Sequence, residues 1–353
     1  MAFSCENPLG LEGIAFVEFA TPKAEEQAGT FERLGFVETA RHGWQNVGLY
    51  VQGAIRFVLN AEPSGYAAAF AAQHGPRVCG MGLRVRDAQR ARRLVLQNGG
   101  EAVEGLTTPF AEDVPALKGV GGTLIYLIDD THLSAHVFDG WRALHRPPVV
   151  QVHGAGLIGV DHLNYALRKG QMQTWADFYV RVLGFESQRY LDLDAHATGM
   201  ETQALICPQG PIRIPLNESR SAYSATEAFL EAHGGEGVQH IALETFDIHA
   251  TVEALCARGV RFQAVPEPYY DLIAARVPHH EEDVARLRQN GVLIDGNARR
   301  EGILLQAFCE TGVGQLFFEI IQRKGHTGFG GGNVQALMEA AGLDQIRKGL
   351  LRV

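Results

Sequence analysis

Gly159-Val160-Asp161-His162-Leu163-Asn164-Tyr165-Ala166 has a counterpart near the start of the chain, Gly13-Ile14-Ala15-Phe16-Val17-Glu18-Phe19-Ala20. Both read as short strands opening on a glycine and rich in apolar and aromatic residues. A helix-period stretch follows each and closes on Leu-Gly-Phe, at Leu34-Gly35-Phe36 and Leu183-Gly184-Phe185. Glycine just past a last turn is a helix stop signal, because it adopts the left-handed conformation without strain. Strand-like runs come next, residues 47–60 and 199–217, with the matched pieces Ala54-Ile55-Arg56-Phe57-Val58-Leu59-Asn60 and Gly210-Pro211-Ile212-Arg213-Ile214-Pro215-Leu216-Asn217.

A second strand–helix unit appears in each half. Val78 to Leu83 leads into a helix over residues 87–97, and Val238 to Leu243 leads into one over residues 248–258. Gly122-Thr123-Leu124-Ile125-Tyr126-Leu127-Ile128 then pairs with Gly314-Gln315-Leu316-Phe317-Phe318-Glu319-Ile320. The pattern predicts an α+β chain of tandem βαβββ modules, two per half, with the halves related by duplication. Residues 129–152, carrying Pro147-Pro148, read as the connector. The expected domains are 1–150, non-catalytic, and 151–353, catalytic.

Glu319 stands out in that frame, because Leu316-Phe317-Phe318-Glu319-Ile320-Ile321 is otherwise a buried strand. A carboxylate there is costly unless something positive holds it, and a metal cation can do so. His162 and His240 lie on similar strands, and 78 residues separate them, against 79 between His240 and Glu319. Each histidine thus falls on the first strand of a module and Glu319 on a closing strand. Opposite these three, the alignment of the halves puts Phe16, Gly80 and Leu127, so the ligand types are missing from one half together. Singly, each histidine is more often a hydrogen-bonded core residue. For Glu319 the bland alternative is an ion pair with Arg323, although four residues along a strand separate two side chains by about 13 Å. Two histidines and one carboxylate suit Fe(II) with three open facial positions. Zinc could use the same ligands with water at a fourth.

The bulk numbers are ordinary for a globular protein, with 46% hydrophobic and 20% charged residues. The 353 residues carry a net charge of −9, which disfavours nucleic acid and anionic membrane as partners. Five cysteines show no Cys-x-x-Cys pairing and read as reduced thiols. No apolar run is long enough to span a membrane, and the first residues lack the basic and apolar regions of a signal peptide, so a cytoplasmic location is expected.

The motifs Glu6-Asn7-Pro8-Leu9-Gly10, His74-Gly75-Pro76, Val160-Asp161-His162, Ile212-Arg213-Ile214-Pro215-Leu216-Asn217-Glu218 and Gly237-Val238-Gln239-His240 occur in this order. Leu304-Leu305-Gln306-Ala307-Phe308, Phe317-Phe318-Glu319-Ile320-Ile321-Gln322-Arg323 and Gly328-Phe329-Gly330-Gly331-Gly332-Asn333 follow them. Together they resemble the bacterial-type 4-hydroxyphenylpyruvate dioxygenases of the vicinal oxygen chelate superfamily, over essentially the whole chain. The resemblance implies one Fe(II) per chain, held by His162, His240 and Glu319. It implies conversion of 4-hydroxyphenylpyruvate and O₂ to homogentisate and CO₂ in tyrosine and phenylalanine catabolism. The substrate's own α-keto acid would chelate the metal, so no 2-oxoglutarate is needed. Gln239, Gln306 and Asn217 resemble the family's polar catalytic residues. Thr202, Pro215, Phe308, Phe317, Phe329 and Asn333 resemble its substrate pocket, which a C-terminal helix closes. A homodimer or homotetramer is implied as well.

Two departures bear on the product. Relatives have Gln-Ile-x-x-Phe-Leu where this chain has Ala225-Thr226-Glu227-Ala228-Phe229-Leu230, and Gly-Asn-Phe where it has Gly332-Asn333-Val334. The family's serine is replaced by Thr202, which keeps the hydroxyl. Ala225 and Val334 would enlarge the pocket. A 4-hydroxymandelate synthase-like reaction, or oxidation of another α-keto acid, is therefore the rival. Extradiol catechol cleavage and a non-enzymatic binding module rank behind it.

Overall fold

The computed structural model describes residues 7–111, 114–130, 141–144, 154–192, 200–208, 210–221 and 224–348. Most of the expected connector, with the 150/151 boundary, lies outside the described residues. The first module is β1 (Leu11–Ala20), α1 (Ala24–Arg33), β2 (Val37–His42), β3 (Val47–Gln52) and β4 (Ile55–Asn60). After α2 (Tyr66–His74) comes the second, β5 (Arg77–Val85), α3 (Ala88–Gln97), β6 (Ala102–Val103), β7 (Ala116–Lys118) and β8 (Leu124–Ile128), followed by β9 (Trp141–Ala143). The third is β10 (Leu157–Leu167), α4 (Met172–Leu183), β11 (Glu186–Asp192), β12 (Met200–Ile206) and β13 (Arg213–Ser219). After α5 (Ala225–His233), the fourth begins with β14 (Gly237–Thr245) and α6 (Ile248–Ala257), and inserts the short α7 (Pro268–Asp271), α8 (Ile273–Arg276) and α9 (Val284–Gln289). It ends with β15 (Leu293–Asn297), β16 (Gly302–Val313) and β17 (Leu316–Lys324), before α10 (Gly331–Arg347). This is the α+β tandem-module architecture the sequence predicts.

The strands form two sheets, ordered β6-β7-β8-β5-β1-β4-β3-β2-β9 and β11-β12-β13-β10-β14-β17-β16-β15. Within a module the first strand pairs parallel with the last, and the two first strands of a half pair antiparallel at the sheet centre. Local chemistry marks the joints. Asp87 and Asp247 cap α3 and α6 by accepting from Arg90 and Ala250 backbone N–H groups. Gly184 ends α4 at φ 74°, as its Leu-Gly-Phe signature predicts. One apolar core joins the halves, with the Phe57 and Phe318 rings stacked 6.0 Å apart.

The pairing corrects one counterpart. Gly82 lies beside Tyr126 and Ala242 beside Glu319, so Tyr126, not Leu127, stands where the second half has Glu319. A 3-10 turn at Val120–Gly122 enters β8, whereas a two-residue turn, Gly314-Gln315, enters β17. The sequence alignment therefore slipped by one residue, and in a strand that exchanges the faces. Leu127 belongs to the shared core. Tyr126 packs with Phe16 and Phe110 (centroids 5.6 and 4.8 Å) and fills the inner face of the N-terminal sheet. Gly80 is required there: a Cβ would lie 2.9 Å from the Tyr126 ring.

The ladder bulges are duplicated too. Ala15 is the extra residue between Ile14–Leu83 and Phe16–Gly82, as Asp161 is between Val160–Leu243 and His162–Ala242. A bulge re-aims a side chain that would otherwise alternate to the other face. That is how neighbours Asp161 and His162 come to touch.

Candidate metal centre

β10, β14 and β17 bring His162, His240 and Glu319 together. The two Nε2 atoms are 3.3 Å apart, and Glu319 Oε2 is 3.7 Å from His162 Nε2 and 3.5 Å from His240 Nε2. Donor atoms so spaced can all contact one first-row metal at about 2.0–2.2 Å. The surroundings fit a cation. His162 Nδ1 meets Asp161 Oδ1 at 2.7 Å, which places the ring proton on Nδ1 and leaves an Nε2 lone pair facing the cluster. The Gln306 amide donates to Glu319 Oε1 at 2.7 Å, leaving Oε2 for the inside. Burial raises the Glu319 carboxyl above its ordinary range despite opposing pulls from His162 and the Gln306 amide. Burial, then His162, pushes His240 well below the usual imidazole range. Among the described residues no lysine or arginine bridges Glu319 within 4 Å, so a cation would supply the missing charge.

Arg323 does not take that role. Its Nε and Nη2 grip Asp161 Oδ2 and Oδ1 at 2.6 and 2.7 Å, a bidentate pair. Burial would push Asp161 up, but the hydrogen bonds from Arg323 and His162 outweigh it and hold the carboxyl far below its ordinary range.

A cavity of about 110 Å³ adjoins the cluster. Of the expected pocket residues, Thr202, Pro215, Asn217, Gln306, Phe308, Phe329, Asn333 and Val334 line it with the three ligands. Phe317 lies beside it, its ring stacked on His240 at 4.9 Å. Gln239 is buried on β14 as the extra residue of a bulge and is not among the lining residues. Ala225 opens α5, and its side chain lies outside the described residues.

A polar chain also lines the cavity: Thr202 Oγ1 donates to Asn217 Oδ1 at 2.8 Å, and Asn217 Nδ2 donates to Asn164 Oδ1 at 3.2 Å. The Phe329 ring meets His162 edge-on at 5.3 Å. The first turn of α10 closes one side, where Asn333 Nδ2 donates to Gln306 Oε1 at 2.7 Å and accepts at Oδ1 from Tyr269 Oη at 2.6 Å.

Asn164, Met200 and Leu337 line the cavity without having been singled out from the sequence. Asn164 could have been found, two residues beyond His162 on the same strand face. So could Leu337, one helical turn from Val334. Met200 and the Tyr269 support carry no local signal, since only the folded chain brings them here.

Residues 5–140 match the family description "Hydroxyphenylpyruvate dioxygenase, HPPD, N-terminal", and residues 159–274 match "Glyoxalase/Bleomycin resistance protein/Dioxygenase superfamily". The chain is 43% identical over 350 residues to the hemolysin VllY of Vibrio vulnificus, covering 98% of each. It is 42% identical over 349 residues to the 4-hydroxyphenylpyruvate dioxygenase of Pseudomonas aeruginosa, covering 98% of this chain and 97% of that one. A mutant of 4-hydroxymandelate synthase from Streptomyces coelicolor superposes with a TM-score of 0.79 at 25% identity, covering 95% and 99%. The matches cover both halves and the architecture agrees: the chain belongs to the hydroxyphenylpyruvate dioxygenase family, an oxygenase family of the vicinal oxygen chelate superfamily.

Proposed function

We propose that this protein is an Fe(II)-dependent dioxygenase that converts 4-hydroxyphenylpyruvate and O₂ to homogentisate and CO₂. The observation that carries the reading is the cluster of His162 Nε2, His240 Nε2 and Glu319 Oε2 on a cavity that Thr202 and Asn217 also line. His162, His240 and Glu319 would hold Fe(II), which would supply the Lewis-acid and redox chemistry for an α-keto acid and O₂. The chain's own groups do the rest. Asn217, held by Thr202 and Asn164, offers a hydrogen bond to the ring hydroxyl. Phe308 and Phe329 wall the aromatic ring, Pro215 shapes the strand carrying Asn217, and Phe317 fixes the His240 plane. Gln306 holds the second oxygen of Glu319, and Asn333 on α10 ties Gln306 in turn. Gln239 supports the site from β14 beside His240.

The cavity of about 110 Å³ is smaller than the roughly 300 Å³ and more typical of ligand sites, and on this proposal its walls, the first turn of α10 among them, adjust as an arylpyruvate enters. On this proposal residues 151–353 form the catalytic domain and residues 1–150 support it, in a cytoplasmic homodimer or homotetramer with no nucleic-acid or membrane partner. A second reading, hydroxylation beside the ring as in 4-hydroxymandelate synthase, is favoured by Val334 on the cavity wall.

The test is oxygen uptake by the purified protein with Fe(II), ascorbate and 4-hydroxyphenylpyruvate, without 2-oxoglutarate, followed by mass spectrometry of the product. Homogentisate is the expected product. A benzylic alcohol would select the second reading, and uptake retained by Glu319→Ala would remove the ligand assignment.

A further inference from the structure

We propose that Arg323 is a positioning residue that couples metal loading at His162 to docking of the helix that closes the cavity. The inference rests on the metal reading of the His162–His240–Glu319 cluster. Arg323 stands at the end of β17, four residues past Glu319, with only a tenth of its side chain exposed. One edge of its guanidinium grips both Asp161 oxygens, and Asp161 in turn fixes the His162 ring. The other edge faces the segment that leads into α10. Nη1 donates to the His326 carbonyl at 3.0 Å and to the Gly328 carbonyl at 2.6 Å. The guanidinium carbon lies 5.8 Å from the Phe329 ring centroid, and that ring packs against His162.

Four of the five guanidinium N–H groups are thus committed, two to the metal side and two to the helix side. A planar fork cannot rotate one edge without moving the other. If His162 turns away from the cluster, Asp161 follows, the fork tilts, and the carbonyls of residues 326 and 328 lose their donors. The path also runs backwards, since coupling between two binding events is reciprocal. Charge alone does not explain the arrangement. Arg213 Nη1 already sits 3.5 Å from Asp161 Oδ2, so the carboxylate keeps a cation when Arg323 is removed.

The experiment titrates metal-free protein with Co(II) alone, following its visible absorption, and measures hydrogen exchange over residues 326–347 with and without the metal. In the wild type, Co(II) slows exchange across this segment. In Arg323→Gln, Co(II) binds about tenfold or more weakly, as expected when an outer support of a metal ligand is lost, and saturating metal no longer slows exchange there. Arg323→Lys keeps the charge without the fork and recovers part of the affinity but not the protection. Asp161→Asn serves if Arg323→Gln fails to fold: Arg323 and both carbonyl acceptors remain, and the metal-dependent change in exchange is expected to disappear. Metal-induced protection that persists in Arg323→Gln or in Asp161→Asn overturns the coupling. A wild type that binds no Co(II) overturns the metal reading instead, and the coupling with it.

Discussion

Val334 sits on the first turn of α10 and faces the cavity beside Asn333 and Leu337. A phenylalanine there would restrict how the substrate ring can lie. Val334→Phe is expected to shift the product ratio about tenfold toward the ring-oxidised homogentisate, since small changes in pocket volume are worth about 1–3 kcal/mol. Unchanged products by mass spectrometry would remove Val334 from the specificity argument. A second residue acts on stability. Glu18 is buried in the N-terminal half, where it accepts from Asn60 Nδ2 at 2.8 Å and Tyr126 Oη at 3.0 Å. Burial raises its pKa over the opposing effect of those hydrogen bonds. The folded state therefore keeps the proton while the unfolded state releases it as pH rises. The resulting penalty is absent below the unfolded pKa and grows until the folded pKa is passed. Glu18→Gln should match the wild type below about pH 4, under the unfolded carboxyl's pKa, and unfold at higher temperature at pH 8. Parallel melting curves at both pH values would refute this. The equivalent pair in the other half is Asn164 with Asn217, so duplication kept the hydrogen bond and its asparagine donor while the acceptor changed from a carboxylate to an amide.

Strands were more legible than their registers. Module order and the first-strand positions of His162 and His240 follow from the glycine, aromatic and Leu-Gly-Phe punctuation. The counterpart of Glu319 did not, because turn length before β8 and β17 sets the register and the residues do not announce it. The Asp161 bulge was equally hidden, and with it the reason Arg323 reaches Asp161 rather than Glu319. Helix α10 was expected from family likeness, yet its anchorage by Gln306, Tyr269, Arg276 and Asp295 comes from distant parts of the chain. Gly330 starts the helix at φ 75°, and a Cβ would lie 1.9 Å from Gln306 Oε1. Gly330→Ala should cost about 1–2 kcal/mol in backbone strain alone and displace the Gln306–Asn333 bond. Faster hydrogen exchange over residues 331–347 is the expected sign; unchanged exchange would show that the turn adapts.

At the scale of the molecule, duplication gives two sheets whose inner faces are solved differently. The C-terminal face holds two imidazoles and a carboxylate around a small cavity; the N-terminal face holds Phe16, Phe110 and Tyr126. The family comparisons agree with the architecture read from the repeats, while the product remains a matter of a few side chains. Binding to the folded state alone stabilises by about 2.7 kcal/mol at a hundred times Kd. Stripping the metal should thus lower the melting temperature, with readdition restoring it; a chelator that leaves the calorimetric trace unmoved would contradict this.

The aromatic filling of the first half has a mechanical corollary. Antiparallel seams β1–β5 and β10–β14 join modules in the same way, but Phe16 of β1 reaches over β5 to Tyr126 of β8, whereas His162 and His240 meet directly across the other seam. Loss of a metal held between them would therefore loosen side chains on the C-terminal inner face alone, while the aromatic filling of the N-terminal face is untouched.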